Sequence, residues 1–347
     1  MTKSVYFPKI RSRAPLRIGL AGGGTDLSPY VENFGGAVLN VTIDRYAFAS
    51  ITPRDDGRIV FEADDLSVQE EWQPGEPRRT RLMLHHAVAN RMAALFASNG
   101  LPPMTLRTTV DAPAGSGLGS SSALVVALVE AMRELLQAPL GVYDVAHLAY
   151  EIERHDLQLS GGRQDHYAAA FGGFNFIEFL ADDRVIVNPL RLSRSVVCEL
   201  ESSIVVCFSG QSRESAAIID EQTSAIQGPT GLVVDAMHQL KADAHEMKRA
   251  LCIGDIDSLA KILNRSWQAK KSTAISVSNS RIEALLAIAL ESGALAGKVS
   301  GAGGGGFMFF VVHPENRFRL IGALSAAGGQ ASPVKFTDLG CETWRFQ

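Results

Sequence analysis

The stretch Pro113–Leu128, PAGSGLGSSSALVVAL, decides how this chain is read. Gly115, Gly117 and Gly119 alternate with other residues, Ser120, Ser121 and Ser122 follow, and an apolar run comes next. Glycines let backbone amides approach an anion closely, and a helix opening near Ser121 would add unpaired N–H groups and the positive end of its dipole. A P-loop would place a lysine after its glycines, and none stands here. A dinucleotide fingerprint needs a third glycine where this chain has Ser120. Two readings stay open at this level: a phosphate-holding turn, or a glycine turn with serine caps and no ligand.

Outward from this motif the chain alternates strands and helices. Met104–Val110 has the alternation of a strand and leads into the motif. Leu16–Ala21 reads as a short apolar strand running into GGGTD, and Ala37–Thr52 is β-rich. Helices are expected over Arg81–Ser98, over Ala123–Gln137 with the serines as caps, and over Val142–His155. Further strands are expected at Phe174–Phe179, Arg184–Val187 and Ile204–Phe208, then three helical stretches to about Glu291. The chain closes on a glycine-dense turn and a strand of six large apolar residues within KVSGAGGGGFMFFVV. QPGEPRR reads as an exposed loop. A boundary near residue 195 divides the chain into 1–195 and 196–347.

The 347 residues carry a formal net charge of −4, with 46% hydrophobic and 20% charged residues. This is a globular composition with no surface suited to nucleic acid or membrane. Lys9, Arg11, Arg13 and Arg17 form one small basic cluster. The four cysteines (Cys198, Cys207, Cys252, Cys341) are far apart, with no CxxC pair and no histidine at ligand spacing. Free thiols in a reducing compartment fit them best. No apolar run approaches the ~20 residues of a membrane span, the N-terminus lacks a secretory h-region, and a cytoplasmic protein is expected.

Three motifs in order carry a resemblance. Pro113–Ser121 resembles the ATP-phosphate motif of the GHMP kinases. Arg13–Asp26, RAPLRIGLAGGGTD, is similar to the family's N-terminal substrate-side motif, and Lys298–Phe307, KVSGAGGGGF, to its C-terminal glycine-rich motif. The resemblance implies a two-lobed α+β fold with ATP and substrate in the cleft between the lobes. It implies ATP phosphates on Gly115, Gly117, Leu118, Gly119, Ser120 and Ser121. Asp165 in GGRQDHYAAAFGG stands where many members carry a base-like aspartate, although an aspartate before a helix also serves as an N-cap. Glu153, in the Glu-Arg pair of YEIERH, matches a magnesium ligand shared with Ser121, at a spacing to Asp165 one residue longer than in mevalonate kinases. Arg17 stands where galactokinases have an arginine near the reacting hydroxyl, and salt-bridging within a strand is its other reading. Asp26 matches an aspartate that reads sugar hydroxyls.

Within the family, GGGTD, GGRQD and SWQAKKS resemble the kinases of D-glycero-D-manno-heptose 7-phosphate. That implies transfer from ATP, with Mg²⁺, to the anomeric C1 hydroxyl. It gives the 1,7-bisphosphate that leads to GDP-heptose and surface polysaccharide. Gly23, Gly24, Thr25, Asp26, Gly162, Gly301 and Gly303 would contact the sugar. A second anion site is expected from among Lys270, Lys271, Arg213, Arg11 and Arg13. The partners are then ATP and a sugar phosphate, and a homodimer is compatible with the sequence. A kinase for L-fucose or another unphosphorylated sugar, and a catalytically silent sensor on the same fold, are the alternatives. His85, His86, His166, Trp267 and Trp344 are expected to pack rather than to react.

Overall fold

A computed structural model of the chain describes residues 7–74, 80–212, 215–227 and 231–346. Its strands are β1 (Lys9–Ala21), β2 (Gly36–Pro53), β3 (Ile59–Ala63), β4 (Val68–Glu71), β5 (Met104–Val110), β6 (Phe174–Phe179), β7 (Val185–Pro189), β8 (Ile204–Phe208), β9 (Ala294–Val299), β10 (Phe307–Val312), β11 (Gln330–Pro333) and β12 (Glu342–Phe346). The α-helices are α1 (Tyr30–Phe34), α2 (Met83–Phe96), α3 (Ser120–Leu136), α4 (Val142–Glu151), α5 (Gln164–Phe171), α6 (Arg194–Ser203), α7 (Ser215–Ile226), α8 (Leu232–Ile253), α9 (Ile256–Lys271), α10 (Ser280–Glu291) and α11 (Arg317–Ala326). Between β8 and β9 the structure has four α-helices where the sequence pattern suggested three. Most of the loop expected at QPGEPRR lies outside the described residues.

An eight-stranded sheet runs β12-β1-β2-β5-β3-β4, with β6 and β7 joined through β2. The length of β2 makes this branch: its first half, Gly36–Val41, pairs with β6, and its second half, Ala47–Pro53, with β5. The smaller sheet has the order β11-β8-β10-β9. Every pairing is antiparallel except β3 with β5. The division at residue 195 falls at the start of α6, but β12 pairs with β1, so residues 342–346 belong with the first sheet. No helix among the described residues is long and apolar enough to cross a membrane.

The unbroken apolar run of β10 follows from its place between two cores. Successive side chains of a strand point to opposite faces. Phe307, Phe309 and Val311 join the large core formed by the first sheet, α3, α8 and α9. Met308, Phe310 and Val312 join a second core with Trp267, α10 and α11. A strand buried on both faces has no solvent side to encode as alternation.

The glycine–serine motif opens α3 differently from the sequence expectation. Gly119 occupies the N-cap position with φ 74, and no side chain caps the helix. Ser120, Ser121 and Ser122 form its first turn instead. Gly119 suits this place on two counts: the left-handed φ, and a Cβ there would lie 3.2 Å from the Asp165 carboxyl.

Trp267 is fully buried in the second core, as its sequence setting implied. Trp344, on the edge strand β12, is partly exposed instead. Trp267→Ala is expected to destabilise the protein by about 3–5 kcal/mol. A lowered midpoint of urea denaturation with unchanged slope checks this; an unshifted midpoint contradicts it.

Candidate active site

The candidate site is built outward from Arg17 on β1. The strand carries this side chain inward, where only 4% of it reaches solvent. Its Nε donates to Asp165 Oδ1 at 2.7 Å and its Nη2 to Asp165 Oδ2 at 2.9 Å, a two-pronged pairing that fixes the carboxylate plane. Nη1 donates to the Gly117 carbonyl at 2.6 Å and lies 3.3 Å from Ser300 Oγ. The Arg17 backbone N–H donates to the Leu118 carbonyl at 3.0 Å. Arg17 therefore ties together β1, the turn before α3, the first turn of α5 and the third glycine motif. Asp165 is the second residue of α5, with Arg163 at the N-cap position, so the N-capping alternative does not apply.

The two glycine-rich turns dock on each other. Phe307 N–H donates to the Ser116 carbonyl at 2.7 Å. A Cβ on Gly117 would come 2.3 Å from the Ser300 carbonyl, so only glycine permits this approach. The turn at residues 300–306 thus forms a wall of the cleft.

Glu153 sits where α4 passes into a π turn over Ile152–Asp156. A π turn holds more residues than the α turn it replaces, which matches the longer spacing to Asp165. Glu153 is 1% exposed, and its Oε2 accepts from Ser122 Oγ at 2.7 Å and pairs with His166 Nε2 at 2.6 Å. Arg154 lies 3.4 Å away. Burial raises the Glu153 pKa, but Arg154, His166 and Ser122 outweigh it and hold the carboxylate at about 2. The serine on Glu153 is thus Ser122, not Ser121, which is exposed. With Ser120 as the first helical residue, Ser121 and Ser122 are turned about 100° apart. His166, expected only to pack, buttresses this carboxylate. His85 and His86 bond to Thr108 and Glu70, away from the site.

Beside Asp165 opens a solvent-connected cavity lined by Arg17, Gly19, Gly23, Gly24, Asp26, Gly162, Gln164, Gln222, Lys270, Lys298 and Gly301, among others. Asp26 is held by Gly24 N–H at 3.1 Å, Gln164 N–H at 3.1 Å and Gln164 Nε2 at 3.2 Å. A Cβ on Gly162 would stand 2.0 Å from Asp26 Oδ2. Gln164 Oε1 is buried with no partner. It is an acceptor with unspent capacity at the cavity wall, able to take a hydroxyl donor. Gln164, Gln222 and Lys298 were not singled out by sequence. Gln164 and Lys298 stood inside recognised motifs, GGRQD and KVSGAGGGGF, and Gln222 did not.

The other expected contacts divide. Thr25 is fully buried, its hydroxyl spent on the Gly22 and Ala37 carbonyls, so it shapes the GGGTD turn and does not face the cavity. Gly303 packs on Val277 outside the cavity. Lys271 points to Glu283 at 3.4 Å and lies over the Trp267 ring. Arg13 pairs with Glu342 at 2.6 Å, and Arg11 lies over the Phe346 ring. These three cations serve elsewhere, whereas Lys270 lines the cavity. Arg213 lies outside the described residues.

Lys270 and Lys298 are 5% and 7% exposed. Burial lowers the Lys270 ammonium to about 8 against the raising influence of Asp26. Burial, then Lys270 and Arg17, lowers Lys298 to about 7. The unfolded chain holds that proton up to about 10.5, so stability contributed by Lys298 rises as pH climbs from about 7 to 10.5. Lys298→Met removes this dependence. The variant is expected to melt a few degrees above the parent near pH 6, with the gain shrinking toward about pH 9.5. A constant or reversed difference between the two melting curves would contradict this account.

Comparison with known proteins shows the family of the chain. The models of the GHMP kinases N terminal domain and the GHMP kinases C terminal match residues 84–173 and 247–330. The D-glycero-alpha-D-manno-heptose 7-phosphate kinase of Campylobacter jejuni is 44% identical over 97% of this chain and 99% of its own. The crystal structure of a D-glycero-D-manno-heptose 1-phosphate kinase from Bacteroides thetaiotaomicron matches with a TM-score of 0.82 at 41% identity, covering 97% of this chain and 99% of that one. The Methanococcus jannaschii mevalonate kinase shares the fold, with a TM-score of 0.75 at 14% identity over 94% of this chain and 98% of its own. With its motifs in order, both family models matched, and 44% identity to a heptose 7-phosphate kinase over 97% of its length, this chain belongs to the GHMP kinase family.

Proposed function

We propose that this protein transfers the γ-phosphoryl group of ATP to the anomeric C1 hydroxyl of D-glycero-D-manno-heptose 7-phosphate. The product is the 1,7-bisphosphate, a precursor of GDP-heptose for surface polysaccharide made in the cytoplasm. One observation supports the reading: Asp165, locked by Arg17, stands between the glycine turn that opens α3 and a cleft lined by Asp26, Gln164, Lys270 and Lys298. The Campylobacter and Bacteroides relatives supply the substrate class.

Phosphoryl transfer needs alignment and charge stabilisation more than covalent help from the protein. The turn Gly115–Ser121 and the uncapped start of α3 offer backbone N–H groups to the ATP phosphates. Asp165 accepts the hydrogen of the attacking hydroxyl and takes its proton as the new O–P bond forms and the bond from the γ-phosphorus to the bridging oxygen breaks, releasing ADP. Arg17 keeps that carboxylate aimed and supplies positive charge beside the reacting oxygens. Asp26 and Gln164 hold sugar hydroxyls.

The Glu153 carboxylate and Ser122 hydroxyl make an all-oxygen donor set, which suits Mg²⁺ held through one carboxylate and substrate phosphates. Among the described residues no cluster of three metal-ligating side chains occurs, in keeping with a metal that arrives on its nucleotide. When bound, the ion neutralises charge on the β- and γ-phosphates.

The name of the Bacteroides relative supports a second reading, in which the substrate is heptose 1-phosphate and the C7 hydroxyl accepts. Both routes end at the same bisphosphate, so the product alone does not separate them. Heptose 7-phosphate and heptose 1-phosphate, supplied separately with ATP and Mg²⁺ and followed by ³¹P NMR, do. Turnover of the 7-phosphate alone is expected, and turnover of the 1-phosphate alone would reverse the assignment. Asp165→Asn is expected to lower kcat by on the order of 10²-fold or more while ATP still binds. Unchanged turnover in that variant would remove Asp165 from the mechanism.

A further inference from the structure

The cavity beside Asp165 contains two positive charges that the transfer step does not use. Lys270 Nζ donates to the Gly23 carbonyl at 3.2 Å and to Gln222 Oε1 at 3.4 Å. Lys298 Nζ donates to the Gly19 carbonyl at 3.1 Å. Among the described residues neither forms a salt bridge. Asp26, the nearest acidic influence on Lys270, is already held by three N–H groups. Arg17 is committed to Asp165.

Buried ammonium groups are stable when paired, and an unpaired one is costly. Here two stand close enough to repel each other, with Arg17 adding to the repulsion on Lys298. Carbonyl oxygens orient them, and the acidic influences on them, Asp26 on Lys270 and Asp243 on Lys298, form no ion pair with either among the described residues. The cavity therefore has a strong unmet demand for an anion. The sugar ring meets neutral and acidic groups, Asp26 and Gln164, which do not satisfy it.

We propose that Lys270 and Lys298 together form the subsite for the phosphate the acceptor sugar already carries, and so set the preference for a sugar phosphate over the free sugar. This rests on the sugar-phosphate reading above and assigns the end of that substrate which does not react. Lys270 comes from the last turn of α9 and Lys298 from β9, so the subsite belongs to the second half of the chain. Asp165 and the ATP turn come from the first. Binding a phosphorylated sugar would then bridge both halves, with C1 directed to Asp165 because the other end is pinned.

The test compares kcat/KM for D-glycero-D-manno-heptose 7-phosphate with that for the unphosphorylated heptose, in the full chain with ATP and Mg²⁺. Lys270→Met and Lys298→Met are each expected to reduce that preference about 10- to 100-fold, the size of a lost charge-assisted contact. The loss is expected as a raised KM for the sugar phosphate, with KM for ATP holding. Lys271→Met, outside the cavity, should retain the parent preference. Melting curves establish that each variant is folded, and Lys270→Gln and Lys298→Gln replace any that is not. An unchanged preference, or an equal loss for both sugars, overturns the subsite. If the parent protein phosphorylates no heptose 7-phosphate, the functional reading fails, and calorimetry decides the subsite separately. Heptose 7-phosphate is then titrated into protein saturated with a non-hydrolysable ATP analogue. Binding by the parent that is lost in both variants sustains the subsite; no binding by the parent, or equal binding by the variants, rejects it.

Discussion

The site depends on one buried guanidinium. Arg17 donates to groups 100, 148 and 283 residues further along the chain, at Gly117, Asp165 and Ser300. Its planar fork can grip a carboxylate with two N–H groups and still reach a carbonyl with a third, which an ammonium cannot do with fixed orientation. Removing it would strand the partly buried Asp165 carboxylate and release two glycine turns from a shared anchor. The bonds that aim the Asp165 carboxylate are therefore also the bonds that hold the local fold together. The glycines complete this arrangement by permitting contact: Gly117 meets the Ser300 carbonyl and Gly306 the Ser116 carbonyl at distances no side chain would allow.

Much of this was legible in the sequence, and the reasons differ by residue. The three glycine-dense turns, the doubly buried strand at β10 and the turn bearing Asp165 are local patterns, and local patterns survive folding. The choice between Ser121 and Ser122 was not local. It turned on Gly119 taking the cap position and on the π turn that sets the direction of Glu153. Lys270 and Lys271 show the same limit more sharply. Neighbours on a helix point about 100° apart, so one enters the cavity and the other meets Glu283, but only the packing of α9 says which. Arg13 was plausible as an anion ligand until β12 supplied Glu342. Gln164 sits inside GGRQD without being marked as a ligand there, and Gln222 carries no signature at all, because an amide becomes part of a site only through what surrounds it.

The cavity illustrates how function and stability diverge within one structure. A pair of ammonium groups held by carbonyls alone is a poor way to build a core, and hydrophobic residues of similar size would pack there at lower cost. Their place beside Asp26 and Arg17 leaves more positive than negative charge around the cleft. An anionic ligand entering it stabilises the protein as well as binding to it, by the linkage common to all native-state ligands. The free energy withheld from folding is thereby returned as affinity.

The pairing of β12 with β1 has a consequence for how the molecule is made. β1 carries Arg17, yet one of its two edges is covered over Lys9–Arg13 by residues 342–346. During synthesis that part of the edge stays open until those distant residues have left the ribosome. For that period the nascent first sheet presents a row of unpaired backbone donors and acceptors of the kind that invites strand addition by a neighbouring polypeptide. Arg11 and Arg13 lie on the open stretch, and their charge resists such pairing while it lasts. The same residues that close the finished sheet through Glu342 and Phe346 thus guard it while it is incomplete.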